Sequence, residues 1–150
     1  MATYQASCLC QAVNFELTGE PFRFAVCHCH NCKVAGGGAF MTNAFFKSQN
    51  MKVTKGLDRI KTYRDSNTKT GNALLRSFCS NCGSNVFLVP EAGGLAIVQA
   101  ATVGGSENWV PTHESYHGAK WNWVRDLEFQ PRSQSPSCRA SINGLAIIRD

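Results

Sequence analysis

At 150 residues, with 43% apolar and 17% charged side chains, the chain has the length and composition of one globular domain with its own core. No apolar run approaches the roughly 18 residues of a membrane span, and Met1-Ala-Thr-Tyr-Gln5 lacks the basic and apolar stretches of a secretory leader. These features predict a cytoplasmic protein with no membrane partner. The formal charge of +5 is carried by scattered Lys and Arg. It falls to +2 if four thiolates bind one Zn²⁺ (net −2) and three bind another (net −1), so a nucleic-acid partner is not indicated.

In chain order, the first chemical feature is Cys8-Leu-Cys10. On extended backbone, side chains two residues apart face the same way, which lets both sulfurs reach one ion. Val13, Phe15 and Leu17 then alternate with polar residues, as do Phe22, Phe24 and Val26 with Arg23 and Ala25, and each run predicts a strand. Cys27-His-Cys29-His-Asn-Cys32 follows, a CxC overlapping a CxxC. Three thiols within six residues can wrap one ion and leave its fourth position free, which is how zinc is held for catalysis.

Further strands are predicted over residues 39–46, 51–55, 57–63, 73–78, 85–89 and 95–101, with turn signals at 36–38, Gly71-Asn72 and Gly93-Gly94. Cys79-Ser-Asn-Cys82-Gly83 is a zinc-ribbon knuckle, a tight turn that brings two thiolates onto one centre. No segment shows a long, capped helical period, so the domain is expected to be mostly β. Residues 131–137 are polar with two prolines and read as a linker. Residues 141–148 are apolar again around Asn143-Gly144, which leaves an edge strand, a hairpin or an extension outside the fold all open. The organisation read from this is a zinc domain over 1–130 and a linker with C-terminal extension over 131–150.

Eight cysteines in a chain expected to stay reduced point to metal or catalysis before disulfides. The favoured partition gives Cys8, Cys10, Cys79 and Cys82 to a closed structural site and Cys27, Cys29 and Cys32 to an open one. A rival partition pairs Cys8 and Cys10 with the middle cluster, and His28 or His30 closing the middle site is a third arrangement. A redox CxxC would be expected to open a helix in a βαβ unit, and no such unit is visible. Cys138 reads as a free thiol. Trp109, Tyr116, Trp121 and Trp123 can wall a pocket or belong to the core, and His113 and His117 can serve as acid–base groups or as surface histidines.

The order CxC, CHCxxC, FCxxCG, with Ser7-Cys8-Leu-Cys10-Gln-Ala-Val13, Pro111-Thr-His113 and Trp121, resembles the glutathione-dependent formaldehyde-activating enzyme family (the CENP-V/GFA domain) over about residues 4–125. The resemblance implies an Mss4-like, twisted, mostly antiparallel β fold. It implies two Zn²⁺ per chain: a structural ion on Cys8, Cys10, Cys79 and Cys82, and a catalytic ion on Cys27, Cys29 and Cys32. It favours His113 as an acid–base residue. It also implies carbon–sulfur lyase or synthase chemistry on a thiol adduct, typically of glutathione, as the small-molecule partner.

One departure stands beside Cys32, where family members often carry an arginine-rich, serine-containing run. Here the segment is Lys33-Val34-Ala35-Gly36-Gly37-Gly38-Ala39-Phe40, with Lys33 its one cation. Lysine does not grip a carboxylate bidentately as arginine does. Weak use of glutathione–formaldehyde and room for a bulkier adduct are therefore expected. The reading from another class is a non-catalytic zinc-scaffolded binding module, and a homo-oligomer is compatible with either.

Overall fold

The computed structural model describes residues 1–129 and the backbone of 148–149. Its regular elements are β1 (Thr3–Ser7), β2 (Asn14–Thr18), β3 (Arg23–Cys27), α1 (His30–Gly36), β4 (Met41–Lys47), β5 (Met51–Lys55) and β6 (Ile60–Asp65). They continue with β7 (Leu74–Cys79), β8 (Asn85–Pro90), β9 (Leu95–Gln99), β10 (His113–Ser115) and β11 (Ile148–Arg149). Strands β1-β2-β5 form a small antiparallel sheet, and a large one runs β11-β10-β3-β4-β9-β8-β7-β6. Pairing in the large sheet is antiparallel except where β10 lies parallel to β3 and to β11. The fold is mostly β, as the period-two pattern indicates.

The two sheets pack face to face. Val13, Phe15 and Leu17 come from the small sheet and Phe24, Ala44, Phe46 and Val98 from the large one, and all are buried in one core with Trp109. Alternation along β3, β4 and β9 therefore turns Arg23, Ala25, Cys27, Asn43, Phe45 and Ile97 to the opposite face. That second face, covered in part by α1, carries the Cys27, Cys29 and Cys32 group.

Differences from the sequence reading have local causes. β1 alternates only Tyr4 and Ala6 with polar residues, a pattern too short to mark a strand in the sequence, and it is held by its pairing with β2. The run at 57–63 begins as a 3-10 turn over Leu57–Arg59, and the strand is β6. A short helix, α1, does form: Cys29 caps its start, accepting the Cys32 N–H at its sulfur, and Gly37 ends it at φ 67°. The predicted linker at 131–137, the Asn143-Gly144 turn and Cys138 lie outside the described residues. Ile148–Arg149 pairs with β10.

Gly56, between β5 and β6, packs against the Ala12–Val13 backbone under severe constraint. It sits at φ +75°, and a Cβ there would stand 1.9 Å from the Ala12 carbonyl oxygen. Gly56→Ala combines left-handed strain with a backbone clash, so a loss of more than about 1–3 kcal/mol is expected in denaturant unfolding. An unchanged midpoint would show that the 8–13 turn yields freely.

Candidate metal centres and a candidate active-site cavity

After β1 the chain turns at once. Cys8 N–H donates to Val13 O and Gln11 N–H to Cys8 O, each at 3.0 Å, with Gln11 at φ 59°. Cys8 and Cys10 are aimed together by this turn and not, as the sequence reading had it, by extended backbone. At the other end of the site, Gly83 N–H donates to Cys79 O at 2.8 Å with Gly83 at φ 74°, closing the expected knuckle.

The four sulfurs of Cys8, Cys10, Cys79 and Cys82 lie within 4.8 Å of one another, with Cys8–Cys10 at 3.6 Å and Cys10–Cys79 at 3.8 Å. Tetrahedral sulfurs about 2.3 Å from an ion stand about 3.8 Å apart, so this set can hold a metal ion. Val13 N–H and Asn81 Nδ2 each donate to a sulfur, Cys8 and Cys10 respectively, at 3.3 Å. The Ser84 hydroxyl and backbone hold Cys82 down to about 5.

The second group is built by β3 and α1. Cys27 and Cys29 face the cavity, and His28 between them is driven to the other side. His28 is fully buried with Nε2 2.9 Å from Glu114 Oε1, its ring edge-on to Phe40 and its backbone N–H donating to Ser115 O at 3.0 Å. Cys32 arrives from the first turn of α1, where its N–H reaches Cys29 Sγ at 3.3 Å.

The sulfurs of Cys27, Cys29 and Cys32 lie within 4.8 Å of one another and also form a group that can hold a metal ion. Hydrogen bonds from Cys27 and Cys32 hold Cys29 as a thiolate, its pKa pushed down to about 2. The same bonds and burial push the Cys27 thiol up.

These three cysteines open into a cavity of about 410 Å³. Phe45, Leu74, Leu88 and Ile97 give it an apolar wall, while Arg23, Lys69 and Arg76 supply cations and no described Asp or Glu lines it. Arg76 is only 7% exposed and donates from Nε to Asp65 Oδ2 at 2.8 Å. Asn31, in α1, donates to both Asp65 oxygens at 3.1 and 3.0 Å. Burial pushes the Asp65 carboxyl up, but the bonds from Arg76 and Asn31 and the Arg76 charge outweigh it and hold it below the usual carboxylate range. The network therefore stays charged and ties the helix that carries Cys32 to β6 and β7. Tyr116, also on the wall, sits in the left-handed region at φ 56°, unusual for a bulky residue, with Lys69 Nζ 5.6 Å from its ring centre.

The structure thus groups the seven predicted ligands as four and three. It does not join Cys8 and Cys10 to the middle cluster, and neither His28 nor His30 belongs to that cluster. His30 is exposed at the cavity lining. His113 does not line the cavity; its Nδ1 is 2.8 Å from Thr112 Oγ1. His117 pairs with Asp126 at 3.2 Å.

Trp109 is a core residue, and Trp121 and Trp123 meet at the surface with their rings tilted by 47°. Lys33, the expected cation, donates to Ala119 O at 2.7 Å and lies over Trp121 instead. The cavity cations were missed because they come from distant segments. Arg76 alone left a signal, as a charge between Leu74 and Phe78 in a strand whose other alternate residues are apolar.

Among known proteins, the family model described as glutathione-dependent formaldehyde-activating enzyme matches residues 3–119. A curated Halomonas elongata protein, provisionally named as a glutathione-dependent formaldehyde-activating enzyme, is 33% identical over 89 residues. That match covers 56% of this chain and 54% of the relative, so the chain spans about half the length of the curated relative it matches. A Rhodobacter sphaeroides protein of known crystal structure has a similar fold, with a TM-score of 0.53 at 21% identity over 67% of this chain and 88% of that one.

Proposed function

The chain belongs to the glutathione-dependent formaldehyde-activating enzyme family, and from that premise we propose that it is a zinc-dependent carbon–sulfur lyase or synthase acting on glutathione or another thiol adduct of an aldehyde. The observation that carries this reading is the three-sulfur cluster opening into a cationic cavity. In this reading Cys8, Cys10, Cys79 and Cys82 hold a structural zinc, and Cys27, Cys29 and Cys32 hold a catalytic one. The spacing of the four-sulfur set and the all-thiolate donors fit zinc better than a hard cation. When bound at the three-sulfur site, zinc supplies a soft Lewis acid able to hold a thiolate or polarise a carbonyl.

The chain's own residues would bind, orient and move the proton. In the synthase direction a carbon–sulfur bond forms between thiol and aldehyde carbon, the carbonyl electron pair moves to oxygen, and the thiol proton ends on that oxygen. The lyase direction reverses each step. Arg23, Lys69 and Arg76 are placed to orient carboxylates of the thiol partner, the role that Lys33 does not take. His30 and Tyr116 line the cavity and are the groups able to relay the proton, in place of His113. The apolar wall excludes water and leaves space for an aldehyde larger than formaldehyde. We assign this unit to residues 1–130, with 131–150 as an extension, and a reducing compartment such as the cytosol suits its free thiols.

The test is exchange NMR on glutathione with formaldehyde, beside aromatic aldehyde–thiol pairs, at micromolar zinc-loaded protein. Saturable acceleration is expected, greatest for the larger aldehydes. Faster turnover of formaldehyde than of every larger aldehyde would remove the size preference. No acceleration with any pair would leave the non-catalytic binding module as the better reading.

A further inference from the structure

Beside the main cavity lies a much smaller space of about 10 Å³, lined by Asn43, Arg76, Gln99 and Asn85 among apolar groups such as Met41 and Phe87, with the Asn85 amide donating to Ala35 O. Three buried atoms of those polar residues carry no hydrogen-bond partner: Asn43 Oδ1, Gln99 Oε1 and Arg76 Nη1. Asn43 and Gln99 are direct partners in the β4–β9 ladder, so their side chains stand on the same face. Buried polar atoms are rarely left unpaired, because each one costs about 1–3 kcal/mol. Two of these atoms are acceptors and one is a donor. A single water, with two hydrogens to give and a lone pair to receive, satisfies all three, and the space is about that of one water.

We infer that a structural water is bound between Asn43, Gln99 and Arg76, and that Asn43, fixed by it, is a positioning residue for Cys32. With its oxygen held by the water, the amide turns Nδ2 toward Cys32 Sγ, where the donor stands at 3.8 Å. A thiolate only accepts, so this is the orientation a metal-bound Cys32 requires. An N–H···S bond weakens the electron donation of the sulfur, and such outer contacts fix and tune a ligand. Arg76 completes the network, holding Asp65 through Nε and the water through Nη1. The tuning part of the inference rests on the reading that Cys27, Cys29 and Cys32 hold a metal. The water and the amide orientation do not.

The experiment uses the full chain loaded with zinc, and in parallel with cobalt(II), as wild type, Asn43→Leu and Gln99→Leu. Competition with a chromogenic chelator is expected to show the three-sulfur site about 10–100-fold weaker in Asn43→Leu. In Gln99→Leu it should be weaker by a smaller factor, and the four-sulfur site should be unchanged in both. The sulfur-to-cobalt charge-transfer band of the three-sulfur site should move to lower energy in Asn43→Leu, which loss of packing alone would not produce. A high-resolution crystal structure of the wild type should show the water within hydrogen-bond reach of the three atoms.

Unchanged affinity and band position in both variants, or an Asn43 oxygen facing Cys32 with no water behind it, would overturn the inference. If Asn43→Leu fails to fold, Gln99→Leu, on the far side of the water from the sulfur, carries the same comparison. A wild type that takes up one zinc only would sink the reading of the three-sulfur site, and the crystallographic water would still decide on the network.

Discussion

Cys29→Ser or Cys32→Ser should abolish turnover, by at least about 10³-fold, and leave a folded protein. A metal acting as Lewis acid contributes several kcal/mol to a transition state, and 4 kcal/mol alone corresponds to about 10³ in rate. The fold should survive because these ligands lie on the second face of the large sheet. Cys32 packs in a small cluster with Cys27, Met41, Leu88 and Ile97, apart from the main core around Phe15 and Phe46. Cys29 is only half-buried and ends a strand–helix junction that Asn31 and Asp65 also hold. Circular dichroism and thermal melting check the fold, and the aldehyde–thiol exchange assay checks the rate. Variants that melt as severely as those of the four-sulfur site would remove the division between a structural and a catalytic centre.

Cys79→Ala is expected to do the opposite and prevent folding altogether. Its sulfur is fully buried where β7 enters the knuckle, and it joins the middle of the chain to the 8–13 turn through Cys8 and Cys10. Zinc bound by such sites contributes about 10–16 kcal/mol in small zinc domains, against a net stability of about 5–15 kcal/mol for a whole domain. Removing one ligand therefore threatens most of the margin, and prolonged chelation should act in the same way. Loss of dispersed amide NMR signals is the expected readout for both. A Cys79→Ala chain that keeps its dispersion and melts within a few degrees of wild type would show that the closed site is not part of folding.

What was legible in the sequence follows from physical range. β2, β3, β4, β5, β7, β8 and β9 were readable because side chains two apart share a face and one face is buried, so the pattern is local. The ligand groups were readable because CxC, CHCxxC and CxxCG place sulfurs close by chain geometry alone. The cavity was not. Arg76 meets Asp65 through the β6–β7 hairpin, and Asn31 reaches Asp65 across 34 residues. Lys33 is the one cation in the segment after Cys32, and α1 carries it round to the Ala119 carbonyl. His113 was favoured by motif, and its strand sets it beside β3 outside the cavity lining. Contacts of that kind depend on packing, which spacing does not encode.

The four-sulfur and three-sulfur groups should behave as two separate metal centres, only the second of which serves chemistry. Native mass spectrometry of the zinc-replete chain beside its Cys29→Ser variant tests it most directly. Two zinc ions are expected in the first and one in the second, with the variant still folded. Two ions in both proteins, or no more than one in the wild type, would contradict it.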